Sequence, residues 1–387
     1  MSKHLLCVAS HLKGFHFMRE ARRLGCDVSL LTHEKLLDKP WPREALSNIY
    51  ALPNFDDSVA VRNAVSYLTR KTRFDSLVPM GDYDIEVTAA LREHLRLPGM
   101  GVTASQYFRD KLAMRERAAE HGLPVPAFTG LFNDAEVAAF LARVPAPWVL
   151  KPRAEASSKG IQVFEDAPAL WQALEELGDA RTLHLLEAFV AGELYHVDGV
   201  VAGGEVVFES VQRYGMPLLR LRQAGGVYST STIARGTPEE RDLAALNRQV
   251  VKALGLPQGV FHVEYLRDAQ GRAFFIEAAA RVGAAKIADV VFFARGVCVW
   301  HEWAKLEAAT PEAPYVPPLP QDDYAGVLIS VAGQEWPDTS AYSDPEIVWR
   351  QGTRPYHAGL LIKSPDVQRI ETLMADYAGR FQQDFQG

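Results

Sequence analysis

The 387-residue chain has a net charge of −7, with 48% hydrophobic and 23% charged residues, the profile of an ordinary globular protein of roughly two or three domains. The acidic balance, with no long Lys/Arg run, argues against a nucleic-acid partner held through its phosphates. Three scattered cysteines, Cys7, Cys26 and Cys298, exclude a disulfide framework and a zinc cluster.

The apolar run after Met1 is too short for a signal-peptide core. The longest apolar stretch, 287–300, is interrupted by Asp289 and Arg295, so no transmembrane helix is expected. A cytoplasmic protein is the expectation. Residues 4–9 predict a buried parallel strand, 14–24 a helix ending at Gly25, and 27–32 a second strand. A helix over 59–70, a strand over 76–80 and a helix over 82–94 continue the alternation, which fits a Rossmann-like βαβ domain. Ser10-His-Leu-Lys-Gly14 follows the first strand where a dinucleotide-binding protein carries G-x-G-x-x-G, so a dehydrogenase is rejected.

One helix is expected over 103–121, then a strand at 125–132, a helix from Asp134 and the strand 147–151. A polar turn, 153–160, leads to a strand at 161–164 and a helix at 167–177. Strands follow at 182–187, 193–201 and 205–213, then a helix at 238–254 and a hairpin of 259–267 with 272–280. Five prolines between 308 and 320 mark a linker. Strands near 325–331 and 357–362 precede a final helix, with Ser364 as N-cap and Pro365 at its first position.

Six features carry chemistry in this order: Lys111-Leu-Ala-Met114-Arg115 on a helix; a strand ending in Lys151-Pro152; the turn Ser157-Ser158-Lys159-Gly160; the segment Glu187 to Val190; the strand from Glu193 to Asp198; and a hairpin bearing Glu264, Glu277 and Arg281. Together they resemble the ATP-grasp superfamily, and within it the carboxylate–amine (L-amino-acid) ligases. The resemblance implies a mixed α/β and α+β chain. A Rossmann-like pre-ATP-grasp domain (1–102) precedes a two-subdomain ATP-grasp fold that binds nucleotide and metal (103–310), followed by a linker and small C-terminal closing subdomain (311–387).

The implied activity is ATP-dependent formation of an amide or peptide bond through an acyl phosphate, with magnesium, or manganese in its place. Small-molecule carboxylate and amine substrates are the expected partners, with no nucleic acid and no membrane; a homodimer stays open. Lys111 and Lys151 would supply point charges to the phosphates, and Ser157, Ser158 and Gly160 amides and hydroxyls. The segment Glu187 to Val190 would present an acceptor to adenine, and Glu193 would accept from the ribose hydroxyls. Period two puts Tyr195 on the face of Glu193 and His196 and Asp198 on the other, so Asp198 ranks below Glu193 as a nucleotide ligand.

With Ala269-Gln270 as a two-residue turn, Glu277 falls opposite His262 and diagonal to Glu264, on a face shared with Phe275, Ala279 and Arg281. Two such carboxylates need a cation, and magnesium suits them. Arg281 would neutralise charge on the transferred phosphoryl group. Ala279 stands where many family members have a metal-binding Asn. Arg213, Arg220 and Arg222, near Tyr214, are candidate binders of a carboxylate substrate, while His301 fits helix packing. Two alternatives stay open: a biotin-carboxylase-like enzyme activating bicarbonate, and a nucleotide-binding regulatory protein of weakened turnover, suggested by Ala279.

Overall fold

The structure, a computed structural model, describes residues 2–386. The chain opens with β1 (His4–Ala9), α1 (Phe15–Arg23), β2 (Asp27–His33), β3 (Asn48–Leu52), α2 (Ser58–Thr69), β4 (Ser76–Pro79) and α3 (Ile85–Leu95). The strands form a parallel sheet in the order β3-β2-β1-β4. Leu5, Cys7 and Ala9 pack against Phe17 and Met18 on one face, and Leu6 and Val8 against Val61, Val65 and Leu91 on the other. Burial on both faces is why β1 reads as an unbroken apolar run. β3, a short half-buried edge strand, was not among the expected elements.

The single helix expected over 103–121 is two, α4 (Val102–Gln106) and α5 (Lys111–Glu120). Asp110 breaks it: its carboxylate accepts from the Leu112 amide at 2.9 Å and caps a new helix. Lys111 thereby becomes the first residue of α5.

Next come β5 (Phe128–Gly130), α6 (Asp134–Arg143), β6 (Trp148–Pro152), β7 (Gln162–Phe164), α7 (Ala167–Leu177) and β8 (His184–Ala188). They make an antiparallel sheet ordered β5-β8-β6-β7. Leu150 and Leu186 pack there against Val137 and Phe140 of α6 and Leu170 and Leu174 of α7.

The remaining strands are β9 (Glu193–Ala202), β10 (Glu205–Tyr214), β11 (Tyr228–Thr232), β12 (Gly259–Arg267), β13 (Ala273–Ala279), β14 (Tyr324–Val331), β15 (Ile347–Arg350) and β16 (His357–Ser364). They form one antiparallel sheet ordered β13-β12-β9-β10-β11-β14-β16-β15. Among them lie α8 (Leu218–Ala224), α9 (Pro238–Leu254), α10 (Ile287–Arg295), α11 (Val299–Ala308) and α12 (Val367–Gln386). Leu243, Val250 and Val251 of α9 cover Tyr195, Val197, Phe261 and Val263.

The C-terminal strands make no separate sheet: β14 pairs with β11 and continues this one. The final helix starts at Val367, because Ser364 ends β16 and the Asp366 carboxylate takes the Gln368 amide at 2.9 Å. Residues 309–323 have no regular element. No helix among the described residues is long and apolar enough to cross a membrane.

Candidate functional site

A cleft of about 890 Å³ lies between the β5–β8 sheet and the large sheet, with loops of the N-terminal sheet at one end. Lys111, Lys151, Glu187, Glu264, Glu277 and Arg281 all line it. Lys111, at the start of α5, is buried, with Nζ 3.0 Å from Glu277 Oε1 and donating to the Glu155 carbonyl at 2.6 Å. Lys151 is the penultimate residue of β6, where the strand runs into the cleft, and its Nζ lies 2.6 Å from Glu187 Oε2. Burial pulls this ammonium down to about 8 although Glu187 opposes the shift.

The other Glu187 oxygen lies 2.6 Å from Nε of Arg115, which is wholly buried. Burial alone would raise the Glu187 carboxyl, but Arg115 and Lys151 outweigh it and hold the group below its ordinary range. The carboxylate is thus a buried counter-ion. Ala188, Phe189 and Val190 continue along the cleft wall and leave the adenine-facing candidates to the end of this segment.

The hairpin register differs from the expected one. Asp268 bonds across to Arg272 and Gly271 adopts φ +80°, so the loop is one residue longer than a two-residue turn. A β-bulge between Tyr265 and Glu264 shifts the pairing once more. Glu264 therefore stands directly opposite Glu277, and His262 opposite Ala279. The bulge also turns Phe275 into the core beside Tyr265, not toward the acids. Glu264 accepts from the Tyr214 hydroxyl at 2.9 Å and lies 3.4 Å from His262 Nε2. Burial would raise its carboxyl, yet His262 and Tyr214 keep it low.

Two of the expected site acids lie elsewhere. Glu193 is exposed at the start of β9, accepting from the Tyr195 hydroxyl at 2.8 Å, and it does not line the cleft. Tyr195 points into the core under α9, so Glu193, on the same face, is carried away from the nucleotide side. Leu194, His196 and Asp198 take the opposite face, where Leu194 lines the cleft. Asp198 lies beneath it and binds two imidazoles, His196 Nδ1 at 2.6 Å and His262 Nδ1 at 3.0 Å. These three groups are near enough to hold an ion. However, His196 Nε2 lies 2.7 Å from the Thr230 hydroxyl and His262 Nε2 meets Glu264, so the cluster is a satisfied hydrogen-bond network. Burial would lower His262, but Asp198 and Glu264 lift it to about 9.

The arginine cluster divides. Arg213 sits 3.6 Å from Glu193, outside the cleft, while Arg220 and Arg222 reach the cleft from α8. Arg222 donates to the Ser157 carbonyl at 3.2 Å. Ser157 and Ser158 line the cleft in left-handed conformation, with φ of 57° and 55°. Gly160 does not line it; a Cβ there would come 2.8 Å from Pro152 Cγ, so this glycine closes the turn. Arg281 donates from Nε to Asp82 at 2.8 Å, and Asp82 comes from the loop after β4 of the N-terminal sheet. Asp82 was hidden because it reads as an ordinary acid opening a helix. His262 was visible only as a neighbour of Glu264 two residues along one strand face.

An ATP-grasp N-terminal domain family matches residues 18–99, and an ATP-grasp domain family matches residues 144–289, the stretch from β6 to α10. The chain belongs to the ATP-grasp superfamily. An L-arginine-specific L-amino acid ligase of Bacillus subtilis is 22% identical over 259 residues, covering 65% of this ATP-grasp chain and 62% of that protein. A D-alanine–D-alanine ligase of Chromohalobacter salexigens is 30% identical over 191 residues, 46% of this chain and 57% of that one. The chain thus spans less than two thirds of these curated relatives.

The same fold is seen in the crystal structure of an L-amino acid ligase from Bacillus licheniformis. Its TM-score is 0.75 at 21% identity, covering 97% of this chain and 96% of that one. An N5-carboxyaminoimidazole ribonucleotide synthetase from Thermotoga maritima gives a TM-score of 0.72 at 17% identity, covering 99% and 98%.

Proposed function

We propose that this ATP-grasp protein is an ATP-dependent carboxylate–amine ligase that forms an amide or peptide bond through an acyl phosphate. The observation that carries the proposal is the opposition of Glu264 and Glu277 across one hairpin, inside a cleft that also holds Lys111, Lys151 and Arg281. Facing carboxylates fit a divalent cation, because unneutralised they repel and cost solvation. Magnesium bound there would draw charge off the phosphates and be completed by phosphate oxygens and water.

Lys111 and Lys151 hold the triphosphate as point charges, and Arg281, oriented by Asp82, faces the charge that moves onto the transferred phosphoryl group. A substrate carboxylate oxygen attacks the γ-phosphorus and ADP leaves. An amine then attacks the acyl carbon and inorganic phosphate leaves. Positioning and neutralisation are the protein's whole task, which accounts for the absence of a nucleophilic triad along the cleft wall. Arg220 and Arg222, on α8, are the proposed contacts for an acidic substrate. The test is ADP release with magnesium over a matrix of amino-acid pairs, with Glu277→Gln as control. Release that depends on both an acid and an amine supports the proposal; release with neither, or none at all, removes it.

A further inference from the structure

Lys13 is a partly buried cation of the cleft with no acid of its own, whereas Arg220, which lacks a partner too, is exposed on α8. Lys111 is paired with Glu277, Lys151 with Glu187, Lys159 with Glu155 and Arg281 with Asp82. Lys13 lines the cleft, yet its ammonium has no ion-pair or hydrogen-bond partner among the described residues. The charged groups around it are Asp82, Asp84 and Arg281. Asp82 is committed to Arg281, and the Asp84 carboxylate to the Ser10 amide at 2.8 Å. A partly buried lysine next to an arginine, with both nearby acids engaged, is a positive site lacking an anion.

Its place in the fold points the same way. Strand order β3-β2-β1-β4 puts the topological switch between β1 and β4, and ligands of such sheets bind outside the strand ends at that crevice. The loop after β1 carries His11 and Lys13, the loop after β4 carries Gly81, Asp82 and Tyr83, and all five line the cleft. Gly14 adopts φ +83° where a Cβ would lie 2.2 Å from Met80 Sδ, so the first loop is drawn tightly over the end of β4. A Cβ on Gly81 would lie 3.7 Å from Lys13 Nζ, so the ammonium rests above a residue with no side chain.

We infer that Lys13 anchors a spectator carboxylate, one that a substrate carries in addition to any group consumed in the reaction. The inference rests on the ligase reading and narrows its substrate class. Either the amine is an amino acid that keeps its α-carboxylate, or the acid is a dicarboxylate. Both present the same anion to the same ammonium.

The test is calorimetric, on the full chain loaded with magnesium and a non-hydrolysable ATP analogue. L-Amino acids are titrated against their carboxamides, and succinate against propionate, for the native protein and for Lys13→Met and Lys13→Arg. In one of the two arms the native protein should bind the extra carboxylate roughly tenfold to a hundredfold more tightly. Lys13→Met should erase that preference while affinity for the ATP analogue stays within about twofold, and Lys13→Arg should keep most of it. The arm that responds identifies which substrate carries the anion. A native protein with no preference in either arm, or a Lys13→Met variant that keeps the preference or loses only nucleotide affinity, overturns the inference. ADP release is measured separately, so failure of the ligase reading is distinguished from failure of the anchor.

Discussion

Nζ of Lys111 lies 3.0 Å from Oε1 of Glu277, so the first residue of α5 and the last hairpin strand meet as ions inside the cleft. Both ends of this contact face the space that the phosphates would enter. Glu277→Gln keeps the shape and removes the charge. It should lower ADP formation by at least about a hundredfold, the scale of losing one electrostatic group at a reacting centre. The melting temperature should stay near that of the native protein, since Glu277 is partly exposed and its loss leaves no core cavity. A coupled ADP assay and a thermal melt check the two halves.

Arg115 and Lys151 share one carboxylate but should fail differently. Lys151→Met leaves Glu187 paired with Arg115, so the protein should fold while ATP affinity drops about tenfold or more in calorimetry. Arg115→Met removes a wholly buried partner, and the fold should lose about 3–5 kcal/mol in a denaturant titration.

On the proposed reading, Lys151 gives ATP binding a pH dependence. In the free protein its ammonium is lowered to about 8, against an ordinary 10.5. The unfolded chain therefore binds more protons than the folded one between those values, so this group's contribution to stability rises with pH from about 8 to 10.5. ATP binding runs the other way. The phosphates need the charged ammonium, so affinity should fall as pH rises above about 8. Binding near pH 9 should take up a proton, seen by calorimetry in buffers of different ionisation enthalpy.

The turn at 153–160 is a candidate lid over the phosphates. Its base is tied down by Arg153 on Asp110 and by Lys111 on the Glu155 carbonyl, whereas its tip is held by exposed contacts of little strength, Arg222 on the Ser157 carbonyl and Lys159 on Glu155. Limited proteolysis should cut this turn in the nucleotide-free chain, and an ATP analogue with magnesium should slow the cutting severalfold.

On the proposed reading, Asp82 positions Arg281, whose Nε donates to it at 2.8 Å. Asp82→Asn should lower kcat about tenfold or more with little change in ATP affinity. Asp82→Glu, which restores the charge, should recover part of the loss.

Much of the fold was legible because local pattern and tertiary demand agree. The helix over 167–177 and the strand over 259–267 stand where periodicity put them. Lys151 and the two hairpin acids were legible for the same reason: each sits at the end or on one face of an apolar strand. What stayed hidden depends on partners far along the chain. Glu193 misses the cleft wall because α9, not the strand itself, decides which face of β9 is core, and Asp198 on the other face lies beneath the wall among imidazoles. The Glu264–Glu277 pairing required a bulge that no residue type announces. Lys13 and Asp82 join the cleft only because a separate sheet delivers its strand ends there.

The continuity of the large sheet through β11 and β14 sets a limit on dissection. A chain cut within the proline-rich stretch would keep the hairpin acids but leave β11 with a row of unpaired amides and carbonyls, an open edge of the kind that recruits other strands. Such a truncate should self-associate. The fragment carrying β14, β16 and α12, supplied in trans, should cap that edge by strand addition and return the truncate to solution as a two-chain complex.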